Sequence, residues 1–331
     1  RRAVSFVSSH TMNPGTTPAG IESEADLRAA FESADYVAGD EIVTTVSLAI
    51  TLEKPLLVEG PPGAGKTEIA KVLASALGTE LVRLQCYEGL TAENALYEWN
   101  YTKQLLAVQT RASGGEGGSA EAESVFSEEY LLERPLLRAL RAGAEAPPVL
   151  LIDEVDRADE AFEALLLEVL SDFQVSVPEI GTVRADVPPV VVITSNRTRG
   201  LSDALKRRCL YLYIEPPDYE KERTIVERKV PELEAALVDD VVGFVQGLRG
   251  SSLRKQPGIS ETLDWARAIA THHTDGDDLS VQEVKRTLAC LLKEAEDVER
   301  VDEELIADLL DDPPAPAADE AATPGDTPDD G

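Results

Sequence analysis

The octapeptide Gly60-Pro61-Pro62-Gly63-Ala64-Gly65-Lys66-Thr67 leaves few folds open to this chain. It matches the pattern G-x-x-x-x-G-K-S/T, and its surroundings give the match its weight. Before it, Pro55-Leu56-Leu57-Val58-Glu59 reads as a short buried strand; after it, an Ala/Leu-rich stretch to about Leu77 reads as a helix. A strand, a Gly-rich turn and a helix N-terminus let backbone amides close around phosphate oxygens, with the helix dipole adding to the attraction. On this reading Lys66 reaches the β- and γ-phosphates and Thr67 ligates Mg2+.

Further strands are expected at Glu80 to Gln85, Pro148 to Asp153 and Val190 to Ser195, separated by helical segments. Their apolar runs are continuous and do not alternate, which predicts an α/β fold with a parallel sheet covered on both faces. Val149-Leu150-Leu151-Ile152 runs into Asp153-Glu154 at the strand end, where open parallel sheets bind ligands. Asp153 can there hold the Mg2+ shell and Glu154 can polarise a water for attack on the γ-phosphate. The competing reading is that the two carboxylates merely cap a helix beginning near Asp159. Val190 to Ile193 leads into Thr194-Ser195-Asn196, placing a neutral amide at a strand end, where it can contact both the γ-phosphate and the water. Leu205-Lys206-Arg207-Arg208-Cys209 is a basic cluster, and a guanidinium suits the charge of a phosphoryl group in transfer; pairing with surface carboxylates is the alternative.

Two helices, from Ser23 to about Tyr36 and from Asp40 to Leu52, precede the first strand, with Asp40 as the expected N-cap of the second. Residues 87–145 exceed an ordinary crossover and contain the Gly/Ser-rich run 112–119, so they are expected to be an insertion. After Pro216-Pro217 the pattern turns helical: Asp218 to Val230, Pro231 to Leu248, Ser260 to His272, Ser280 to Val298 and Asp302 to Leu310. The expected organisation is a disordered extension at 1–22, a nucleotide-binding domain at 23–216, a helical domain at 217–310 and a disordered acidic tail at 311–331.

Charge narrows the partners. The 62 Asp plus Glu against 31 Lys plus Arg give a net charge of −31, which disfavours sequence-independent nucleic-acid binding. Excess carboxylate, with 21 Arg and only 10 Lys, is the expected composition of a protein adapted to high salt. Cys86, Cys209 and Cys290 have neither disulfide-framework nor zinc-site spacing, and His272-His273 reads as a solvated helix end. No apolar run is long enough to cross a membrane, and none follows Arg1-Arg2 as an export signal requires, so the expected location is the cytoplasm without membrane insertion. Met12 is the chain's one methionine, and translation is expected to start there.

In this order, the elements resemble those of the AAA+ ATPases, whose core is a P-loop NTPase sheet sandwiched by helices and followed by an all-helical lid. The resemblance covers about residues 23–300. It makes Gly60, Pro61, Pro62, Gly63, Ala64, Gly65, Lys66, Thr67 and Glu68 the nucleotide-binding segment, with Asp153-Glu154 as Walker B and Asn196 as sensor 1. Arg207 and Arg208 fall in the arginine-finger region, Arg208 being favoured because Arg-Cys resembles the Ser-Arg-Cys of related ATPases. Leu84 to Leu90, Ala95 to Tyr101, Asp203 to Leu210 and Gly258 to Ala268 resemble the MoxR group, and within it the CoxD-like branch associated with maturation of carbon monoxide dehydrogenase. That resemblance implies ATP and Mg2+ as cofactors, a homo-oligomeric ring, usually hexameric, a von Willebrand factor A domain partner and a metalloenzyme client. One departure stands out: Thr262 occupies the position of the sensor 2 arginine, and Arg267 lies more than a helical turn away. A small-molecule P-loop kinase and a nucleotide-dependent scaffold with little turnover are the rival readings. Tyr97, Trp99 and Tyr101 are left open between core packing and partner contact.

Overall fold

The computed structural model describes residues 21, 23–113, 127–143, 147–178, 180–273 and 278–311. The Gly/Ser-rich run from residue 114, the first twenty residues and the tail from 312 onward lie outside them, as do the expectations placed there. The described chain divides into two compact units: residues up to 60 together with 66–214, and 61–65 together with 215–311.

In the first unit, α1 (Glu24–Ser33) is capped by the Ser23 side chain. α2 (Asp40–Thr51) has Gly39 as its N-cap, and Asp40 is instead its first helical residue, paired with Arg28 at 2.5 Å. β1 (Leu56–Glu59) is buried at every position, and α3 (Lys66–Ala76) follows the Gly-rich turn. β2 (Leu81–Gln85) is followed by α4 (Ala92–Leu96), β3 (Tyr97–Trp99), α5 (Tyr101–Ser113), β4 (Leu131–Glu133) and α6 (Pro135–Arg141). β3 and β4 pair antiparallel as a small separate sheet. Trp99 is buried and Tyr97 packs edge-on against it, whereas Tyr101 is exposed, so the aromatic trio splits between core and surface.

β5 (Val149–Asp153) is wholly buried, and α7 (Glu160–Asp172) follows, with Asp159 as N-cap. Asp153 and Glu154 therefore do not cap that helix. A hairpin of β6 (Gln174–Val177) and β7 (Gly181–Arg184) comes next and has no counterpart in the sequence reading. Its strands are short, and apart from Val175 and Val177 their residues are exposed or half-buried, so no apolar run marks them. β8 (Val190–Ser195), α8 (Asp203–Arg208) and β9 (Leu210–Tyr213) close the unit.

The main sheet has the order β2-β5-β8-β1-β9, and every pairing in it is parallel. β9, a fifth strand at one edge, adds to the four expected; only Leu212 of its four residues is buried, so it lacks the wholly buried apolar run of β1 and β5. Helices flank the sheet: α3 packs on β5, β8 and β2, and α2 on β9. Continuous burial of β1 and β5 explains the unbroken apolar runs that announced them.

The second unit is helical, with α9 (Tyr219–Lys229), α10 (Ala235–Gly250), α11 (Ile259–His272), α12 (Val281–Thr287), α13 (Ala295–Arg300) and α14 (Glu303–Asp311). The segment expected as one helix from Ser280 to Val298 is broken after Thr287 by a 3-10 turn and the non-helical residues 291–294. Phe244 and Trp265 meet in the core of this unit with ring centroids 5.2 Å apart.

Candidate functional site

β1, β8 and β5 are neighbours in the sheet, so their C-terminal ends lie side by side. β1 delivers Gly60, where a Cβ would sit 2.4 Å from the Ile214 carbonyl oxygen; only glycine lets the chain leave the strand there. Gly63 and Gly65 have φ values of 78° and 82°, the left-handed conformation that glycine adopts without strain. Lys66 opens α3 and is buried, and its Nζ donates to the Gly60 carbonyl at 2.9 Å. Burial lowers its pKa, and the charges of Asp156, Asp153 and Glu154 oppose that shift.

Asp153 is buried, and its carboxylate is held on both sides. Oδ1 accepts from the Thr67 hydroxyl at 3.2 Å and from the Thr194 hydroxyl at 2.6 Å. Oδ2 accepts from Arg83 on β2, through Nε at 3.0 Å and Nη2 at 2.5 Å. A hydroxyl and a carboxylate oxygen at this separation form a hard-donor pair suited to Mg2+, next to a turn whose backbone is shaped for phosphate.

Glu154 has φ 55° and ψ 50°, uncommon for a residue with a long side chain. The Thr194 hydroxyl accepts its N–H at 2.9 Å and so supports the turn. Because the strand's alternation breaks here, the Glu154 carboxylate faces Gln85, whose Nε2 donates to it at 3.1 Å, and Arg157, whose Nη1 donates at 3.0 Å. Strain of this kind collects where a side chain must be aimed for a purpose.

Asn196 follows β8 with its side-chain amide unbonded among the described residues, while its backbone N–H donates to Asp156 at 3.1 Å. Asp156 also accepts from the N–H of Thr198 at 2.9 Å and its hydroxyl at 2.6 Å. Burial would raise the Asp156 pKa, but the Thr198 and Asn196 hydrogen bonds outweigh it and hold the carboxyl below its ordinary value.

Lys66, Thr67, Asp153, Glu154 and Asn196 thus lie together at the C-terminal ends of the central strands β1, β5 and β8. Glu68 points elsewhere: its exposed carboxylate pairs with Lys71 at 2.6 Å. Arg207 and Arg208 are exposed on α8, with no ion-pair partner among the described residues. In the second unit Thr262 is fully buried and donates to Glu222 at 2.7 Å. Arg249 forks onto the same Glu222 through two nitrogens, at 2.5 and 2.7 Å. Arg267 pairs with Asp264 at 3.2 Å.

Arg83, Asp156 and Thr194 escaped the sequence reading. Thr194 and Asp156 had a weak signal, being polar residues next to the two carboxylate and amide ends. Arg83 had one too, as a charge flanked by Val82 and Leu84 within an expected strand.

Residues 55–209 match the family described as AAA domain (dynein-related subfamily). An uncharacterized protein of Staphylococcus haemolyticus is 27% identical over 242 residues, covering 71% of this chain and 82% of its own. An uncharacterized protein of Staphylococcus aureus is 27% identical over 225 residues, covering 66% and 76%. Among solved structures, the RuvB Holliday junction branch migration motor of Thermotoga maritima aligns with 81% of this chain and 72% of its own, at 21% identity and a TM-score of 0.42. The fold is that of the AAA+ P-loop NTPases, with a parallel five-stranded sheet flanked by helices and a helical C-terminal part. Among the described residues no helix is long and apolar enough to cross a membrane.

Proposed function

We propose that this chain is an Mg2+-dependent ATPase that couples hydrolysis to conformational work on a protein client. The observation that carries the proposal is the Thr67 hydroxyl 3.2 Å from the buried Asp153 carboxylate, with Glu154 beside it in a left-handed turn. Thr67 and Asp153 would hold Mg2+, which supplies charge neutralisation on the phosphate oxygens. Lys66 binds the β- and γ-phosphates. Glu154 takes the proton of the attacking water, and the Asn196 amide orients that water against the γ-phosphate.

Exposed, unpaired Arg207 and Arg208 support a finger offered to a neighbouring copy, with Arg208 favoured, in a ring that is hexameric in the family the sequence resembles. The same resemblance supports a nucleotide-binding domain over 23–216, a lid over 217–310, a von Willebrand factor A domain partner, a cytoplasmic setting and a molybdenum-containing metalloenzyme as client. A second reading, a nucleotide-dependent scaffold with little turnover, is favoured by the lid: Thr262 is locked to Glu222, and Arg267 is paired within its own helix.

The test is ATP hydrolysis in molar KCl against protein concentration, for wild type and for Arg208→Ala mixed with Glu154→Gln. Specific activity that rises with concentration, and partial recovery on mixing two inactive variants, is the expected result. Turnover unaffected by Glu154→Gln would leave the scaffold standing and the ATPase mechanism without its base.

A further inference from the structure

We propose that Arg83 is a resident counter-ion for the metal-binding carboxylate, occupying Asp153 while no divalent cation is bound and thereby setting the cation concentration at which the site fills. The inference rests on the nucleotide–metal reading above. Arg83 lies on β2, directly beside β5 in the sheet, and two residues before Gln85, the register partner of Asp153. Its guanidinium places two donors, Nε and Nη2, on the one oxygen Oδ2, while Thr67 and Thr194 share Oδ1. The Asp153 side chain is 4% exposed, so its charge has little help from water and takes its compensation from Arg83. The Arg83 side chain is 52% exposed, so it can leave for solvent without uncovering a cavity.

The asymmetry matters. A divalent cation approaching Thr67 and Asp153 meets a carboxylate already neutralised by the Arg83 guanidinium, and that charge also repels the newcomer. Orientation of the carboxylate does not depend on Arg83, because the Thr194 hydroxyl at 2.6 Å already fixes its rotamer from the neighbouring strand. Arg83 therefore opposes the metal instead of preparing its seat. Its remaining tie, from Nη2 to Gln85 Oε1 at 2.6 Å, keeps it parked along β2.

The experiment measures Mn2+ binding by electron paramagnetic resonance on the full chain with ADP present, for wild type, Arg83→Gln, Arg83→Lys and Asp153→Asn. Thermal unfolding is followed in parallel, in chelator and in Mn2+. Arg83→Gln is expected to bind Mn2+ about tenfold more tightly than wild type, and to melt lower in chelator with the gap closing in Mn2+. Arg83→Lys, which keeps the charge, is expected to stay within about twofold of wild type and so guards against a folding defect in the Gln variant. Equal or weaker Mn2+ binding by Arg83→Gln would overturn the counter-ion role and leave a purely structural pair. If Asp153→Asn binds Mn2+ like wild type, the metal is not at Asp153, and the underlying reading fails together with this one. Loss of binding in Asp153→Asn with no change in Arg83→Gln sinks the Arg83 proposal alone.

Discussion

Asp156 has a carboxylate whose work is done through another residue. Its three acceptor contacts hold the backbone on which Asn196 stands. Asp156→Asn keeps the shape but weakens the charged acceptor. It is expected to cost about 1–3 kcal/mol in urea unfolding and to lower kcat for ATP more than it raises KM. The pH dependence has a definite sign. The folded pKa lies below the unfolded value, so the stabilisation is present above about 3.8 and is lost as pH falls through the depressed folded value. The stability gap between wild type and Asp156→Asn should therefore be constant near neutrality and shrink below about pH 3.8, as measured by urea titration at each pH. Lys66 has the opposite character: burial disfavours its charge, which a bound phosphate would relieve. Lys66→Met is expected to match or exceed wild type in nucleotide-free unfolding midpoint while losing the rise in melting temperature that ATP gives wild type.

Single ties hold whole elements in place. α8, which carries Arg207 and Arg208, has Ser202 as its N-cap, and the Ser202 N–H donates to the buried Glu163 of α7 at 2.9 Å. The Ser202 side chain then caps the helix at Leu205, whose side chain is buried. Arg199 completes the anchor with an ion pair to Glu163 at 2.6 Å. Glu163→Ala is expected to destabilise the protein by about 2–3 kcal/mol and, if α8 acts in trans, to reduce recovery when active-site variants are mixed. Circular dichroism melts and the mixing assay give these two numbers separately. Glu163 stands three and seven residues before Leu166 and Leu170, so helical spacing puts it on the buried face of α7, unlike Glu160 and Glu168, but that spacing does not name its partner. Its significance comes from a residue nearly forty positions later folding back onto it.

For the whole molecule, the dominant property is charge. A chain at −31 repels itself, and at molar salt the screening length falls to about 3 Å. The melting temperature is expected to climb steadily from 0.1 M to 2 M KCl, as followed by scanning fluorimetry. A plateau above about 0.3 M would instead describe an ordinary acidic protein whose repulsion is already screened. Buried Cys86 and Cys209, each with a thiol pushed up to about 12 by burial, should stay unreactive to alkylating reagents through such a titration.

By itself the sequence determined the Gly-rich turn, the positions of four strands of the sheet, the acidic pair at the end of one and the amide at the end of another, although β2 alternates buried and exposed residues where a continuous apolar run was expected. These are local properties: a continuous apolar run, a glycine spacing and a strand end can each be read from a few neighbouring residues. It also marked where the strands give way to helices at Pro216-Pro217. Tertiary structure decided the rest. Only sheet order puts β2 beside β5 and Arg83 onto Asp153; only the meeting of β5 and β8 gives Thr194 to both Asp153 and Glu154. The burial of Thr262 against Glu222 likewise depends on a partner far along the chain. The physical reason is common to all of them. Apolar burial is non-directional and leaves a periodic trace in the sequence, whereas a hydrogen bond between distant polar side chains leaves none until the fold brings donor and acceptor within about 3 Å.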